Sequence, residues 1–214
     1  MKYQYCFFDL DGTLALSGDG IINSVMYASK KLGIHISDKR ELCSFIGQPL
    51  AETFQKTFGL SEIETQKAIK HYREYFSAYG IYENIVYDGI PELLKALRNK
   101  KINIALATAK PQEYAIRILK HLDLCSFFDH IGAATMDGSI NMKADVIACL
   151  LEQLGTIDRS SILMIGDRAQ DIIGAKANRL SSAGVLWGYG SIEELVSAGA
   201  DHLISKPADI LNIL

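Results

Sequence analysis

Two aspartates one residue apart, Asp9 and Asp11, follow the apolar run Cys6-Phe7-Phe8 and open the segment Asp9-Leu10-Asp11-Gly12-Thr13. Open parallel sheets bind ligands at the carboxyl edge of their strands, so an acid pair where an apolar strand emerges is well placed for chemistry. Side-chain alternation along extended backbone predicts that both acids share one side, with Leu10 opposed. Neighbouring carboxylates repel unless a proton or a cation offsets them. Mg²⁺ fits such a pair, because it takes oxygen ligands and keeps room for waters and phosphate oxygens. The plainer reading of D-x-D-G is a polar turn ending a strand. A calcium loop is excluded, since it needs further acids and a closing Glu in the region where the chain has Ile21 and Ile22.

Three more positions repeat the theme. Thr108 ends the apolar run 102–108 just before a helical stretch, where a hydroxyl and free backbone N–H groups, including that of Ala109, suit a phosphate oxygen. An ordinary helix cap would use the same residue type. Lys143 stands at the head of an amphipathic helix, where the macrodipole disfavours a cation, and a solvated surface lysine is its bland reading. The apolar run 162–165 leads into Gly166-Asp167, with Asp171 four residues later at a helix start. Gly166 allows close backbone approach to a ligand, whereas Asp171 could simply offset the helix dipole. All these groups fall at strand or helix ends on one side of a single expected sheet, and that coincidence favours a site over separate accidents.

The elements that must hold them alternate. From Gly89 onward, strand patterns near 102–108, 131, 161–165, 182–187 and 202–204 are separated by helical ones, which is the signature of a parallel sheet flanked by helices. Pro91 sits in the first turn of a helix carrying Ile90, Leu93, Leu94 and Leu97 on one face. Val146, Ile147, Leu150, Leu151 and Leu154 line another helix, with Gly155 as its C-terminal cap. The first strand, 3–9, belongs with this group but is separated from it by helical patterns. One has Ile21, Ile22, Val25, Met26 and Leu32 on a face; the other has Ile69, Tyr72 and Phe76. Residues 16–82 therefore read as a helical insertion, tethered by a loop at 18–20 and the segment 79–87, and 1–15 with 83–214 as the core.

Composition narrows the setting. The 214 residues suffice for a sizeable core, with 49% hydrophobic and 22% charged residues. A net charge of −3, from 22 Lys plus Arg and 25 Asp plus Glu, gives no basic excess for a nucleic-acid polymer or an anionic membrane. Cys6, Cys43, Cys125 and Cys149 are scattered without metal-ligand spacing, and no apolar run approaches the roughly 20 residues that span a bilayer. A cytoplasmic protein, monomer or homodimer, is the expectation. Neither a P-loop nor a G-x-G-x-x-G motif occurs, so ATP or NAD dependence has no support.

Taken in order, DxDGT, the strand-ending Thr108, Lys143 and the GDRAQD segment resemble the four motifs of the haloacid dehalogenase superfamily. GIINSV, FIGQPL and GVLWGYGS followed by EEL resemble its phosphoglycolate-phosphatase-like branch. The resemblance implies an α/β fold, a Rossmann-like doubly wound parallel sheet with an inserted all-helical cap domain. It implies a phosphatase acting on a small phosphorylated metabolite, such as phosphoglycolate, with Asp9 as nucleophile and an aspartyl-phosphate intermediate. Asp11 would serve as general acid and base. Mg²⁺ would be held by Asp9, the backbone carbonyl of Asp11 and Asp167, with Asp171 in support, and Thr108, Ala109 and Lys143 would bind the phosphoryl group. The cap loop 45–50, with Gly47 and Gln48, is the expected specificity segment. A 5′-nucleotidase, a pyrophosphatase and a sugar phosphomutase share that core, and a phospho-Asp signalling or binding protein is the alternative from another class. Ala15-Leu16 departs from the more polar residues usual after DGTL, and Lys110 and Arg168 receive no role.

Overall fold

The computed structural model describes residues 2–214. The chain divides into two compact units, one of Met1–Leu16 with Val86–Leu214 and one of Ser17–Ile85.

The first unit opens with β1 (Tyr5–Phe8) and β2 (Ala15–Leu16). The chain then passes into the second unit through α1 (Gly18–Lys31), α2 (Leu50–Phe58) and α3 (Glu62–Ala78). It returns by way of β3 (Ile85–Val86), which pairs with β2. Alternation follows: α4 (Ile90–Asn99), β4 (Asn103–Pro111), α5 (Gln112–His121), β5 (His130–Ala134), α6 (Lys143–Leu154), β6 (Ile162–Gly166), α7 (Ala169–Ala177), β7 (Ser181–Val185), α8 (Ile192–Ala198) and β8 (His202–Ile204). The expected α/β class with a parallel sheet is what the first unit shows.

Its sheet runs β5-β4-β1-β6-β7-β8, and each adjacent pair is parallel. Strands covered on both faces read as continuous apolar runs, and Cys6, Phe7, Phe8 and the segments 104–107 and 162–165 are buried accordingly. Phe7 packs with Ala105, Ala107, Ile147, Leu150, Met164 and Ala175, so its truncation to Ala would cost about 3–5 kcal/mol. The chain proceeds from β1 to β4 on one side and to β6 on the other. This reversal of winding leaves a crevice beyond the carboxyl ends of β1, β4 and β6. Phe8 is level with both Leu106 and Ile165, which brings the residues that follow each strand to one edge.

The second unit is helical apart from its connections and the first residue of β3, Ile85. α1 buries Ile21, Val25 and Ala28 and leaves Ile22 and Met26 half-buried, while α3 buries Thr65, Ala68, Tyr72 and Phe76 with Ile69 at the margin. Ser61 and Glu64 cap α3 reciprocally. Residues 18–20, expected as a loop, instead form the first turn of α1. The turn is possible because Gly20 lies against the Gly80 carbonyl, where a Cβ would collide. No helix of the described residues is long and apolar enough to cross a membrane.

Candidate active site

Strand β1 stops at Phe8, so alternation does not set the two aspartates; a turn does. The Asp9 N–H still donates to the Ile165 carbonyl at 2.9 Å, while Gly12, at φ +83°, folds the chain back so that its N–H donates to the Ala15 carbonyl. That turn gives the two acids different partners. Lys143 Nζ donates to Asp9 Oδ1 at 2.6 Å and to the Ala107 carbonyl at 2.8 Å. Lys110 Nζ lies 3.0 Å from Asp11 Oδ2, both side chains less than a tenth exposed, and Asp11 Oδ1 is buried with no hydrogen-bond partner.

Lys143 is the first residue of α6, where its charge opposes the helix dipole. Asp171 Oδ1, 2.8 Å away in an ion pair outside hydrogen-bond alignment, joins Asp9 in compensating it. Burial works against the ammonium, but Asp171 and Asp9 outweigh it and hold the group above the ordinary lysine range. The solvated-lysine reading is therefore overturned by the burial of Lys143. Asp171 has two duties: besides facing Lys143, its Oδ2 accepts the Arg168 N–H at 3.1 Å and closes the first turn of α7. Gly166 makes room for this carboxylate, with which a Cβ would collide, so its small size serves Asp171 rather than a ligand's approach.

Asp167 is held at both oxygens. Oδ1 accepts the Thr13 hydroxyl at 3.2 Å and Oδ2 accepts the Tyr189 N–H at 2.8 Å. Asp9, Asp167 and Asp171 present carboxylate oxygens within 4.8 Å of one another, all buried. Burial, then Asp171 and Asp11, push the Asp9 carboxyl up to about 6 against the pull of Lys143. Burial followed by Asp171 and Asp9 pushes Asp167 to about 8. Three crowded acids, two of them paired with Lys143, form an all-oxygen donor set in which a small hard cation would relieve the repulsion, and Mg²⁺ fits that description.

Thr108 lies on β4 two residues beyond Leu106, the register partner of Phe8, and is buried. Its Oγ1 accepts the Lys110 N–H at 3.2 Å where the strand register shifts between Thr108 and Pro111. It is no helix cap, because β4 continues to Pro111 and α5 begins at Gln112. Ala109 beside it is half-buried. Gly47, at φ +74°, and Gln48 lie in the other unit, in the connection leading to α2.

Three participants were not assigned from sequence. Lys110 carried a signal, since two residues after Thr108 on one strand it must share a side with it. Arg168 pairs through Nε with Glu194 Oε1 at 2.9 Å, and the same oxygen accepts the Ala169 N–H, so α8 supports the start of α7. Tyr189 acts through its backbone and leaves no signal in residue type.

The model of the haloacid dehalogenase-like hydrolases matches residues 6–185. A 5′-nucleotidase of Pseudomonas aeruginosa is 39% identical over 214 residues, covering 100% of this chain and 96% of that protein. The tyrosine-protein kinase PtkA of Mycobacterium tuberculosis is 38% identical over 187 residues, 87% of this chain and 63% of its own length. Among solved structures, a predicted phosphatase from Clostridium acetobutylicum matches with TM-score 0.94 at 41% identity, covering 99% of this chain and 100% of that one.

Proposed function

This chain belongs to the haloacid dehalogenase-like hydrolases, and on that premise we propose that it hydrolyses a small organic phosphate monoester through an aspartyl-phosphate on Asp9. The observation that carries the reading is the separation of the two neighbouring acids into different surroundings. Asp9 is bonded to Lys143 inside an acid cluster, while Asp11 is held by Lys110 with one oxygen unpartnered. Paired carboxylates in unlike environments are how one site supplies both a nucleophile and a proton carrier.

In the first half-reaction an Asp9 carboxylate oxygen attacks phosphorus and the bond to the leaving alcohol breaks, with Asp11 giving its proton to the departing oxygen. In the second, Asp11 takes a proton from water as the water attacks phosphorus, and the bond to Asp9 breaks, releasing phosphate and the free carboxylate. Thr108, the Ala109 N–H and Lys143 are assigned to the phosphoryl oxygens, where fixed donors stabilise the charge of the transition state. Asp9, Asp167, Asp171 and the Asp11 carbonyl are the groups we assign to Mg²⁺. When bound, the ion supplies positive charge that balances the acids and the phosphoryl oxygens.

Phosphoglycolate-like monoesters head the substrate list because the GVLWGYGS and FIGQPL segments resemble that branch. A nucleoside 5′-monophosphate is the second reading, favoured by full-length similarity to a 5′-nucleotidase. Selection is assigned to the helical unit, with Gly47 and Gln48 as its first residues to vary. The deciding experiment is phosphate release from phosphoglycolate, nucleoside monophosphates, pyrophosphate and hexose phosphates, with Mg²⁺ and with chelator. Hydrolysis of one monoester class that stops with chelator and in Asp9→Asn supports the proposal. Isomerisation of a sugar phosphate without phosphate release would sink it, as would stable phosphorylation of Asp9 without turnover.

A further inference from the structure

The segment Trp187-Gly188-Tyr189-Gly190, which follows β7, belongs to none of the four motifs that carry the chemistry, yet it lies directly against Asp167. Its Tyr189 N–H donates to Asp167 Oδ2, and its Trp187 Nε1 donates to the Thr13 carbonyl at 3.0 Å. The Thr13 hydroxyl in turn donates to Asp167 Oδ1. These contacts close a ring: strap to Thr13, Thr13 to Asp167, Asp167 to strap. The approach is so close that a Cβ on Gly188 would collide with Asp167 Cβ and the Gly12 carbonyl, and one on Gly190 with the Asp167 carbonyl. Gly12 also lies against this carboxylate, again with no space for a Cβ. Three glycines thus clear the space in which one aspartate is clamped.

The clamp has a chemical consequence. An ionised carboxylate has about four lone-pair directions, and the two anchors engage one oxygen each, which leaves acceptor capacity on both. A carboxylate free to rotate would lose entropy on taking up a cation; one anchored at both ends has already done so. Burial of Asp167 beside Asp9 and Asp171 otherwise gives the side chain reason to turn away from its neighbours.

We propose that residues 187–190 form a positioning strap for Asp167, whose backbone donor at Tyr189 and glycines at 188 and 190 set the affinity of the acid cluster for its divalent cation. The proposal rests on the assignment of Asp167 to the metal, and its test keeps the two apart. Binding of Mn²⁺ to the full chain, without substrate, is read from the electron paramagnetic resonance signal of the free ion. Tyr189→Pro removes the donor N–H, Gly188→Ala inserts a methyl group against Asp167, Tyr189→Phe keeps the N–H and the ring, and Asp167→Asn reports the ligand itself. The expected result is Mn²⁺ affinity weakened about 10–100-fold in Tyr189→Pro and Gly188→Ala, as for other groups that orient metal ligands, with Tyr189→Phe close to wild type. Should Tyr189→Pro fail to fold, Gly188→Ala decides between the outcomes. Wild-type affinity in these strap variants alongside a loss in Asp167→Asn would overturn the strap alone. Wild-type affinity in Asp167→Asn would overturn the metal assignment beneath it.

Discussion

Lys110 Nζ lies 3.0 Å from Asp11 Oδ2, in a pair less than a tenth exposed, and the other oxygen of Asp11 is buried without a partner. A buried carboxylate oxygen left unmatched is costly unless something else engages it, and in the proposed reaction the leaving-group oxygen and then the attacking water do so. The anchored oxygen fixes the orientation of the working one.

Proton donation matters most when the leaving group is a poor one. Asp11→Asn should therefore lose about 10²–10⁴-fold in kcat/KM on alkyl phosphates and much less in kcat/KM on p-nitrophenyl phosphate, whose leaving group departs unprotonated, while kcat falls on both because Asp11 also activates the water of the shared second step. Lys110→Met should show the same dependence with a smaller loss. Values of kcat/KM on the two substrate types check this, and equal losses in kcat/KM on both would contradict the roles of Asp11 and Lys110.

The metal-free protein should lose stability as pH rises. Asp9 and Asp167 have folded-state values raised to about 6 and about 8, so between the unfolded carboxylate range and those values the folded state binds more protons than the unfolded one. The stabilisation from these protons is complete below the unfolded value and disappears as pH climbs through the folded values. Melting temperature in chelator should fall from about pH 5 to about pH 9 relative to the protein in Mg²⁺, and the stabilisation by Mg²⁺ should grow over the same window as fewer protons need displacing. A Mg²⁺ effect that shrinks as pH rises would contradict the assignment of these acids.

Lys143 supplies the cation facing Asp9 and Asp171. Removing one partner of a buried ion pair commonly costs about 3–5 kcal/mol, and Lys143→Met should destabilise the metal-free protein on that scale. The loss should be greater at pH 8 than at pH 5, because at lower pH the abandoned acids can take up protons instead. Denaturant unfolding at the two pH values measures it.

What the sequence disclosed and what it concealed divide along physical lines. The strands were legible because 104–107 and 162–165 are apolar on both faces, as a covered parallel sheet requires. Asp9, Asp167 and Asp171 could be found because each follows an apolar strand or starts a helix. The way they are held could not: Asp167 meets Thr13 and Tyr189 across 154 and 22 residues of chain, and Lys143 meets Asp9 across 134. Residue types carry no record of such distant pairings, nor of a backbone donor such as the Tyr189 N–H. At 18–20, two glycines read as a loop, yet the Gly20–Gly80 approach made helix the better use of them. Local propensity yielded there to packing.

A phosphorus bond to Asp9 is the centre of the proposed mechanism, and it can be met directly. Enzyme turning over a reactive phosphate monoester with Mg²⁺ is quenched into borohydride, which reduces an aspartyl-phosphate to homoserine, and the product is located by peptide mass mapping. The predicted result is homoserine at position 9 and unmodified aspartate at positions 11, 167 and 171. Reduction at another of these positions, or at none while the leaving group is released in a burst ahead of phosphate, would contradict it.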